Sequence, residues 1–225
     1  DVGKCTSAHV WGVTYDDGPS PATTVVLDAL KAKGKKATFF VVGSRVVENP
    51  ELVLRAFQEG HQIASHTWSH RVLKDLSDAD VVAELMWSGK VIEEVTGQFP
   101  RFFRPPEGEI NDRVRRIANA MGMRAILWSH DTLDWQMNDG SQSAESVTNT
   151  VKSWIEQKPA GPLSLEHDLT ESCAAIAPSL LDMILAAGYD VQPAATCFGD
   201  NSFYQSNPLG TPSKGPMTAS PSSTP

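Results

Sequence analysis

Two adjacent carboxylates, Asp16 and Asp17, stand at the end of an apolar, β-branched run that predicts a buried strand. Carboxylates in that position are costly unless a metal, an arginine or a ligand compensates their charge. Because successive side chains of a strand point to opposite sides, Asp16 and Asp17 are expected to have different roles. A solvated Asp-Asp-Gly turn is the alternative interpretation of this stretch alone.

Two histidines, His66 and His70, have a spacing that lets both imidazoles bind one divalent metal from a single turn of chain. With one carboxylate they would form a two-His-one-Asp site that keeps open coordination positions. Open positions favour metal-assisted hydrolysis over a structural site, which four protein ligands would close. Taken alone, the pair is also explained as two surface histidines. The presence of Asp16, Asp17 and His167, each at a predicted strand end, favours the metal site.

A hydrolase of this type needs a base, an acid for the leaving group and hydrogen-bond donors for the oxyanion. Either Asp16 or Asp17 can be the base while the other binds the metal. His167 can be the acid, because an imidazole titrates near neutral pH. Arg104 can hold the basic aspartate ionised and oriented, and Asp134 can pair with His167 and keep it protonated.

Two tryptophans near these groups, Trp68 and Trp135, would supply flat apolar walls that suit sugar rings. Each of them, taken alone, is better explained by packing in the core or in a loop. The sugar-binding interpretation therefore depends on the rest of the site.

Strand and helix patterns alternate along the chain, and the candidate groups follow predicted strands. The predicted strands lie at residues 10–15, 37–42, 62–65, 101–104, 124–128, 163–166 and 189–192. The predicted helices lie at residues 22–33, with Ser20 as the N-cap, and at 50–59, 77–95, 112–121, 144–156 and 178–187. Such repeats imply a parallel sheet covered by helices, and about seven strands favour an irregular α/β barrel over an open doubly wound sheet. In parallel barrels the functional groups lie at the carboxyl ends of the strands.

The composition limits the classes of function. The 225 residues carry a formal net charge of −8 and contain no run of Lys or Arg, so a nucleic-acid partner is not expected. No apolar stretch is long enough to cross a bilayer. No glycine-rich phosphate loop follows a strand, which weakens a nucleotide-binding interpretation. The sequence begins with Asp1 rather than Met, which is consistent with removal or omission of an N-terminal targeting segment.

The three cysteines, Cys5, Cys173 and Cys197, do not make a disulfide framework. One bridge from Cys5 to Cys197 would suit an exported protein and would keep the first and last strands together. Three reduced cysteines in a cytosolic enzyme are also compatible with the count, and no partner is assigned to Cys173.

The folded region is predicted to be one domain, residues 1–205. From about Asp200 the strand–helix pattern stops, and residues 209–225 are rich in Ser, Thr, Pro and Gly, a composition that cannot form a core. Residues 206–225 are therefore interpreted as a flexible tail or linker, which would be open to O-glycosylation in a secreted protein.

Five stretches of the chain resemble, in order, the five motifs of the polysaccharide deacetylases, which form carbohydrate esterase family 4. They are residues 14–19 (TYDDGP), 66–70 (HTWSH), 104–106 (RPP), 131–135 (DTLDW) and 163–168 (LSLEHD). The match spans nearly the whole predicted domain. The segments at 108–117 and 197–200 look most like the fungal chitin deacetylases.

The resemblance implies a distorted (β/α) barrel of about seven parallel strands, with zinc or another divalent metal such as cobalt as its cofactor. The metal ligands that it implies are Asp17, His66 and His70. The catalytic residues that it implies are Asp16 as base, His167 as general acid, Arg104 as the partner of Asp16 and Asp134 as the partner of His167. The residues that it places in the acetyl pocket are Leu165 and Trp135.

The reaction implied by the resemblance is hydrolysis of the N-acetyl group of β-1,4-linked N-acetylglucosamine in chitin or partly deacetylated chitosan, giving acetate and a free amine. The fungal members are secreted or associated with the cell wall, which fits the tail and a Cys5–Cys197 bridge. A lipid anchor added through a removed C-terminal signal is left open, and a monomer is expected.

One position departs from the family pattern: Glu107 stands where a tyrosine usually follows Arg-x-Pro. The backbone N–H of that tyrosine commonly serves the oxyanion, and residue 107 keeps this group. The Glu107 carboxylate would lie at the rim of the sugar groove, and we hypothesise that it favours substrates with cationic amines, that is, partly deacetylated chitosan. A solvent-facing glutamate without effect on specificity is the alternative.

Two rival functions stay open on the sequence. A deacetylase acting on another acetylated polymer, such as xylan or peptidoglycan, would use the same chemistry. A catalytically silent wall-binding protein would keep the groove without turnover. The intact acid, base and metal ligands count against the silent protein, and only Glu107 favours it.

Overall fold

Ten short strands form in the computed structural model, which describes residues 1–210. The strands are β1 (Val10–Asp16), β2 (Thr38–Val41), β3 (Gln62–Ser65), β4 (Phe99–Pro100), β5 (Phe102–Phe103), β6 (Arg124–Ala125), β7 (His130–Asp131), β8 (Leu163–His167), β9 (Asp190–Gln192) and β10 (Tyr204–Gln205). The α-helices within these residues are α1 (Thr23–Ala32), α2 (Gly43–Glu48), α3 (Pro50–Gln58), α4 (Asp78–Thr96), α5 (Asp112–Ala120), α6 (Ala144–Gln157), α7 (Glu171–Ala186) and α8 (Ala194–Cys197). No helix in residues 1–210 has the length and apolar character needed to cross a membrane.

The strands of the main sheet are parallel and follow the spatial order β6-β5-β3-β2-β1-β8-β7. A further strand, β9, pairs with the first residues of β1. The two ends of the sheet, β6 and β7, are consecutive in the chain and are separated by residues 126–129, so the sheet curls until its ends come close. Val2 bridges to Ile126 at this seam. The prediction of a distorted (β/α) barrel with about seven parallel strands is confirmed.

Strand β1 shows how the sheet positions polar groups, because its side chains alternate between two environments. Trp11, Val13 and Tyr15 pack in the largest apolar cluster with residues of α1 and α7. Thr14 and Asp16 point to the barrel interior, where both accept hydrogen bonds from Arg104, which follows β5. The strand therefore anchors the helical layer on one side and presents polar groups on the other.

Helix α7 begins at Glu171, seven residues before the predicted start at Pro178. A proline is common in the first turn of a helix, which favours the later start from sequence alone. In the structure Thr170 is the N-cap, and Pro178 lies inside the helix. The predicted start is wrong because residues 171–177, most of them buried and apolar, also form helix.

The first helix also begins later than predicted. Ala22 is the N-cap of α1, and the hydroxyl of Ser20, the expected cap, accepts a hydrogen bond from the Ala22 N–H and donates one to the Asp168 carbonyl oxygen. Five short elements are absent from the predicted set: α2, α8, β4, β7 and β10. With two to six residues each, they are too short to show a helical or alternating period.

The last described residues pack against the barrel. Strand β10 pairs antiparallel with β4, and the hydroxyl of Tyr204 accepts a hydrogen bond from the Ile63 N–H. The side-chain amide of Asn207 is buried and donates to Glu93. The fold therefore continues beyond the predicted domain end at residue 205, whereas residues 211–225 of the predicted tail lie outside the described residues.

A disulfide joins Cys5 to Cys197, the pair considered from the sequence, and Cys173 is free and buried. Both sulfurs lie beside Gly12, where a Cβ would come within 3.0 Å of the Cys197 sulfur and 3.2 Å of the Cys5 sulfur. The bridge thus connects the N-terminal segment and α8 next to the start of β1.

Candidate active site

Three candidate metal ligands meet where β1 and β3 end. Asp17 follows β1, and His66 and His70 follow β3. Asp17 Oδ1 lies 3.5 Å from His66 Nε2 and 3.2 Å from His70 Nε2. Asp17 has a left-handed backbone conformation (φ 75°), so its side chain leaves the alternation of β1 and reaches the imidazoles. One ligand atom from each residue lies within 4.8 Å of the others, the donor set of a two-His-one-Asp metal site.

The surroundings prepare these groups to bind a cation. Because a carbonyl oxygen only accepts, His66 Nδ1 donates to the Arg104 carbonyl at 2.9 Å and leaves Nε2 as the free acceptor. Burial lowers the pKa of His66, so its imidazole is neutral, as a metal ligand has to be. Burial alone would raise the pKa of Asp17, but the interaction with the adjacent His70 imidazole outweighs it and holds that pKa well below its usual value. Asp17 Oδ1 is buried and accepts no hydrogen bond from residues 1–210.

The second carboxylate, Asp16, forms a buried ion pair. Asp16 is 2% exposed, and its Oδ1 lies 2.7 Å from Nη1 of Arg104, which is itself fully buried. Other N–H groups of Arg104 donate to the carbonyl oxygens of Ile126 and Leu127 at 3.2 and 3.0 Å. Asp16 Oδ2 faces the metal cluster, 3.6 Å from His66 Nε2. The geometry therefore distinguishes the two aspartates, because Asp16 pairs with the arginine and leaves one oxygen beside the cluster.

His167, the last residue of β8, lies on the other side of the same opening and is held by Asp134. Its Nδ1 lies 2.6 Å from Asp134 Oδ1, and its backbone N–H donates to Oδ2 at 2.9 Å. Asp134 starts a 3-10 turn (Asp134–Asn138) and is 1% exposed. Burial lowers the pKa of His167, but the hydrogen bond to the Asp134 carboxylate outweighs it and raises the pKa to about 9. His167 is therefore a protonated imidazolium at neutral pH, as a general acid has to be.

A cleft of about 690 Å³ opens over these groups, and Asp16, Asp17, His66, His70 and His167 all line it. Arg104 and Asp134 lie behind the residues that they bind.

The predicted substrate contacts Glu107, Trp135 and Leu165 line the same cleft. Leu165 is 5% exposed and belongs to the floor, whereas Trp135 is 45% exposed and belongs to the rim. Glu107 is exposed in a 3-10 turn (Pro106–Gly108), with a left-handed φ of 58°.

Four more residues of the cleft carry no role in the sequence analysis; they are Trp128, Asp131, Leu133 and Asn138. Trp128 and Asp131 stand at or just after a predicted strand end, which is the signal that identifies the other groups. Leu133 and Asn138 lie in a turn without a strand pattern. Trp68, by contrast, was considered as a wall of the site from the sequence but does not line the cleft. Its ring packs against Gly43.

Asp168, next to His167, supports the turn that carries the two aspartates. Its Oδ1 accepts a hydrogen bond from the Gly18 N–H at 3.0 Å, and its Oδ2 accepts one from the Thr23 hydroxyl at 2.6 Å. Burial raises the pKa of Asp168 to about 7. A Cβ at position 18 would come within 2.4 Å of the carboxylate, so only glycine allows this approach. Asp168 therefore acts on the site through the backbone beside Asp17.

A curled parallel sheet with a two-His-one-Asp cluster, a buried Asp–Arg pair and an imidazolium–Asp pair at one end is typical of metal-dependent hydrolases. The model of the polysaccharide deacetylase family matches residues 3–126. The chain therefore belongs to the polysaccharide deacetylase family, and the resemblance carried by the five motifs is confirmed.

Individual relatives come from fungi and bacteria. The chain is 38% identical to chitin deacetylase 1 of Cryptococcus neoformans, over 90% of this chain and 46% of that protein. It is 37% identical to the peptidoglycan-N-acetylglucosamine deacetylase PgdA of Listeria monocytogenes, over 89% of this chain and 41% of that protein. The chain thus spans about half the length of the curated relatives that it matches.

Solved structures share the fold over most of the chain. The chitin deacetylase of the fungal pathogen Colletotrichum lindemuthianum is similar with a TM-score of 0.84 and 26% identity, over 91% of this chain and 94% of that chain. A pseudoenzyme of the same esterase family from Bacillus anthracis is similar with a TM-score of 0.75 and 26% identity, over 84% of this chain and 65% of that chain. The fold alone therefore does not distinguish active from silent members.

Proposed function

We propose that this protein is a metal-dependent carbohydrate N-deacetylase that acts on β-1,4-linked N-acetylglucosamine in chitin or chitosan. The observation that carries the proposal is that the metal-ligand cluster, the Asp16–Arg104 pair and the His167–Asp134 pair meet at one cleft. Amide hydrolysis requires these parts: an electrophilic centre, a base and an acid. The similarity to chitin deacetylases from two fungi supports chitin as the polymer.

The ligands Asp17, His66 and His70 would hold a divalent cation, which we propose to be zinc, with cobalt as a substitute. Two imidazoles and one carboxylate form a ligand set that zinc takes in hydrolytic sites. The buried Asp17 oxygen, which accepts no hydrogen bond from residues 1–210, and the neutral His66 imidazole fit such an ion. When bound, the cation would polarise the acetyl carbonyl and lower the pKa of water.

Asp16 is proposed as the base and His167 as the acid. Asp16 takes a proton from the attacking water while the water oxygen bonds to the acetyl carbon. When the carbon–nitrogen bond breaks, His167 gives its proton to the nitrogen, so the products are acetate and a sugar amine. Arg104 and Asp134 hold the two groups in place through buried ion pairs at 2.7 and 2.6 Å. Leu165 and Trp135 are proposed to enclose the acetyl group.

The rim of the cleft supports a preference for partly deacetylated chitosan. Neither Glu107 nor Asp131 takes part in the ion pairs formed within residues 1–210, and the described cleft lining contains no Lys or Arg. A free amine on a neighbouring sugar carries a positive charge below its pKa. Such a cation would be attracted to the two carboxylates, whereas fully acetylated chitin offers no charge.

The test of the proposed function is acetate release from chitin oligomers and from partly acetylated chitosan, before and after removal of metal by a chelator. We expect release that a chelator stops and zinc restores. No release from either substrate by protein with measured bound zinc would overturn the proposal and favour a silent carbohydrate-binding protein, as the structural similarity to a pseudoenzyme allows.

Peptidoglycan is the second candidate substrate, favoured by the 37% identity to the Listeria enzyme. Its glycan also contains β-1,4-linked N-acetylglucosamine, so the same cleft chemistry would apply. Acetate release from peptidoglycan but not from chitin or chitosan oligomers would assign the protein to this substrate.

We propose that the protein is secreted or cell-wall associated and acts as a monomer. The Cys5–Cys197 disulfide supports an oxidising compartment. A complete set of candidate catalytic groups within one chain supports the monomer. A lipid anchor is part of the same proposal, and intact-mass measurement of the secreted protein tests it.

A further inference from the structure

The loop of residues 66–70, which carries two metal ligands and is termed here the histidine loop, has an unfavourable backbone. Thr67 has φ 66° and His70 has φ 58°, both in the left-handed region that non-glycine residues rarely adopt. Such conformations are strained and persist only when the surrounding structure holds them. Some other part of the molecule must therefore fix this loop.

Glu84, on the inner face of α4, binds the middle of the histidine loop. Its Oε2 accepts hydrogen bonds from the backbone N–H groups of Trp68 and Ser69, both at 2.8 Å. Its Oε1 accepts a third bond from the Ser69 hydroxyl. Glu84 is 7% exposed and takes part in none of the ion pairs within residues 1–210. A buried carboxylate whose described partners are neutral donors of one loop is costly to keep, which points to a specific use.

Helix α2 binds the opposite side of the same loop. The Gly43 N–H donates to the Thr67 carbonyl and the Ser44 N–H to the Trp68 carbonyl, at 2.9 and 3.0 Å. Gly43 packs so closely that a Cβ there would come within 2.7 Å of the Trp68 ring. The peptide groups between the two histidines are thus bonded from both sides. Glu84 is the charged member of this arrangement.

We propose that Glu84 is a positioning residue for the metal centre, because it fixes the histidine loop so that His66 and His70 meet Asp17 before a cation binds. Glu84 lines no part of the cleft and touches none of the three ligands' side chains, so it acts through the loop backbone. The inference rests on the proposed metal site but assigns a residue that the five motifs do not include.

The chain offers a matched control on the same helix. Glu93 is 8% exposed, close to the value for Glu84, and its carboxylate accepts a hydrogen bond from Asn207 rather than from the histidine loop. It lies nine residues further along α4, about 13 Å along the helix axis. Glu93→Gln therefore makes the same chemical change in a similar environment, remote from the metal centre.

The experiment measures metal binding by the metal-free protein, independently of turnover. Zinc affinity is measured by competition with a chromophoric chelator, and the absorption spectrum of the cobalt-loaded protein reports the coordination geometry. We expect the zinc Kd to rise about 10–100-fold in Glu84→Gln, with an altered cobalt spectrum, because residues that orient metal ligands have effects of this size. Glu93→Gln is expected to lower Tm without changing the Kd or the spectrum.

Ser69→Ala keeps the experiment decisive if Glu84→Gln does not fold. Ser69 is exposed, and the substitution removes one of the three bonds to Glu84 while keeping both N–H donors. We expect a zinc Kd several-fold higher, with an unchanged Tm.

Three outcomes would overturn the inference. One is a Glu84→Gln variant that folds and keeps the wild-type Kd and cobalt spectrum. Another is an unchanged Kd and spectrum in Ser69→Ala when Glu84→Gln does not fold. If the wild-type protein itself binds neither metal, the proposed metal centre fails, and the role of Glu84 fails with it.

Discussion

Two buried ion pairs flank the candidate metal centre, and they differ in the kind of cation. On the base side, Arg104 pairs with Asp16 at 2.7 Å. A guanidinium stays charged in proteins, so its support for the carboxylate does not depend on pH. On the acid side, His167 pairs with Asp134 at 2.6 Å, and its pKa is raised to about 9. The difference shows how one fold can provide a permanently charged partner for the proposed base and a titratable proton donor on the adjacent strand.

Substitution of Asp16, on the base side, is expected to cause the largest loss of activity. Asp16→Asn removes the proton acceptor and leaves Arg104 buried beside a neutral amide, so kcat/KM is expected to fall about 10²–10⁴-fold. Acetate release measures the loss. Zinc content is measured in parallel, because the ligands Asp17, His66 and His70 remain. A variant that keeps zinc and more than a tenth of the activity would exclude Asp16 as the base.

On the acid side, the titration of His167 is expected to appear in the pH dependence of activity. The protonated form of His167 is the proton donor, so activity is expected to fall as pH rises through its pKa of about 9. Asp134→Asn removes the charge that raises this pKa. We expect kcat/KM to fall about 10²-fold and the alkaline limb to move to lower pH. An alkaline limb at the wild-type position in this variant would contradict the assigned pairing.

The two ion pairs are also expected to differ in how their contribution to the free energy of unfolding depends on pH. The pKa of His167 is about 9 in the folded protein, against an ordinary value of 6.5 for a histidine. The imidazolium therefore adds stability that is complete below pH 6.5 and is lost as pH rises through 9, at most about 3 kcal/mol at 1.4 kcal/mol per unit. The destabilisation caused by Asp134→Asn is expected to be largest near pH 6 and to shrink near pH 9.5. Denaturant unfolding of both metal-free proteins at the two pH values measures this difference.

Comparing wild type with the variant is necessary, because other buried groups titrate in the same range. Burial raises the pKa of Glu166 to about 8 and that of Asp168 to about 7, so both lower the stability of the wild type as pH rises. Equal destabilisation by Asp134→Asn at both pH values would show that the ion pair adds no pH-dependent stability.

The smallest expected effect concerns the rim, which neither buried pair occupies. Glu107→Tyr removes an exposed carboxylate, and we expect the ratio of kcat/KM for chitosan to that for chitin oligomers to fall about 2–5-fold, the range of exposed ion pairs. Glu109→Gln is the matched control, because Glu109 is exposed nearby but pairs with Lys74 and does not line the cleft. An unchanged ratio in Glu107→Tyr would leave the glutamate without a role in specificity.

The sheet and the meeting of the candidate residues at one cleft were predictable because both follow local rules. Alternating strands and helices imply parallel strands, and the carboxyl ends of parallel strands meet at one edge. Asp16, His66, Arg104 and His167 each stand at such an end, so their meeting follows from the element order.

The parts that were not predictable depend on backbone conformation and on distant contacts. Sequence alone leaves open which aspartate binds metal, because the left-handed φ of Asp17 breaks the alternation on which the argument rests. The turn of Trp68 toward Gly43 requires α2, whose six residues are too few to show a period. The sequence around Glu84 does not distinguish it from other helical glutamates. Its hydrogen bond to the histidine loop is a long-range contact that only the structure shows.

Arg104 also lies at the seam of the barrel. We expect this position to limit which substitutions at residue 104 are tolerated during the evolution of the family. Its N–H groups bond to the carbonyls of Ile126 and Leu127, in the segment between the two ends of the sheet. One side chain thus contacts both the proposed base and the segment that closes the barrel, so we expect selection for activity and selection for folding to act on the same residue. A lineage that loses activity but keeps the barrel is expected to vary first at His167 or Asp17, and to retain this arginine longest.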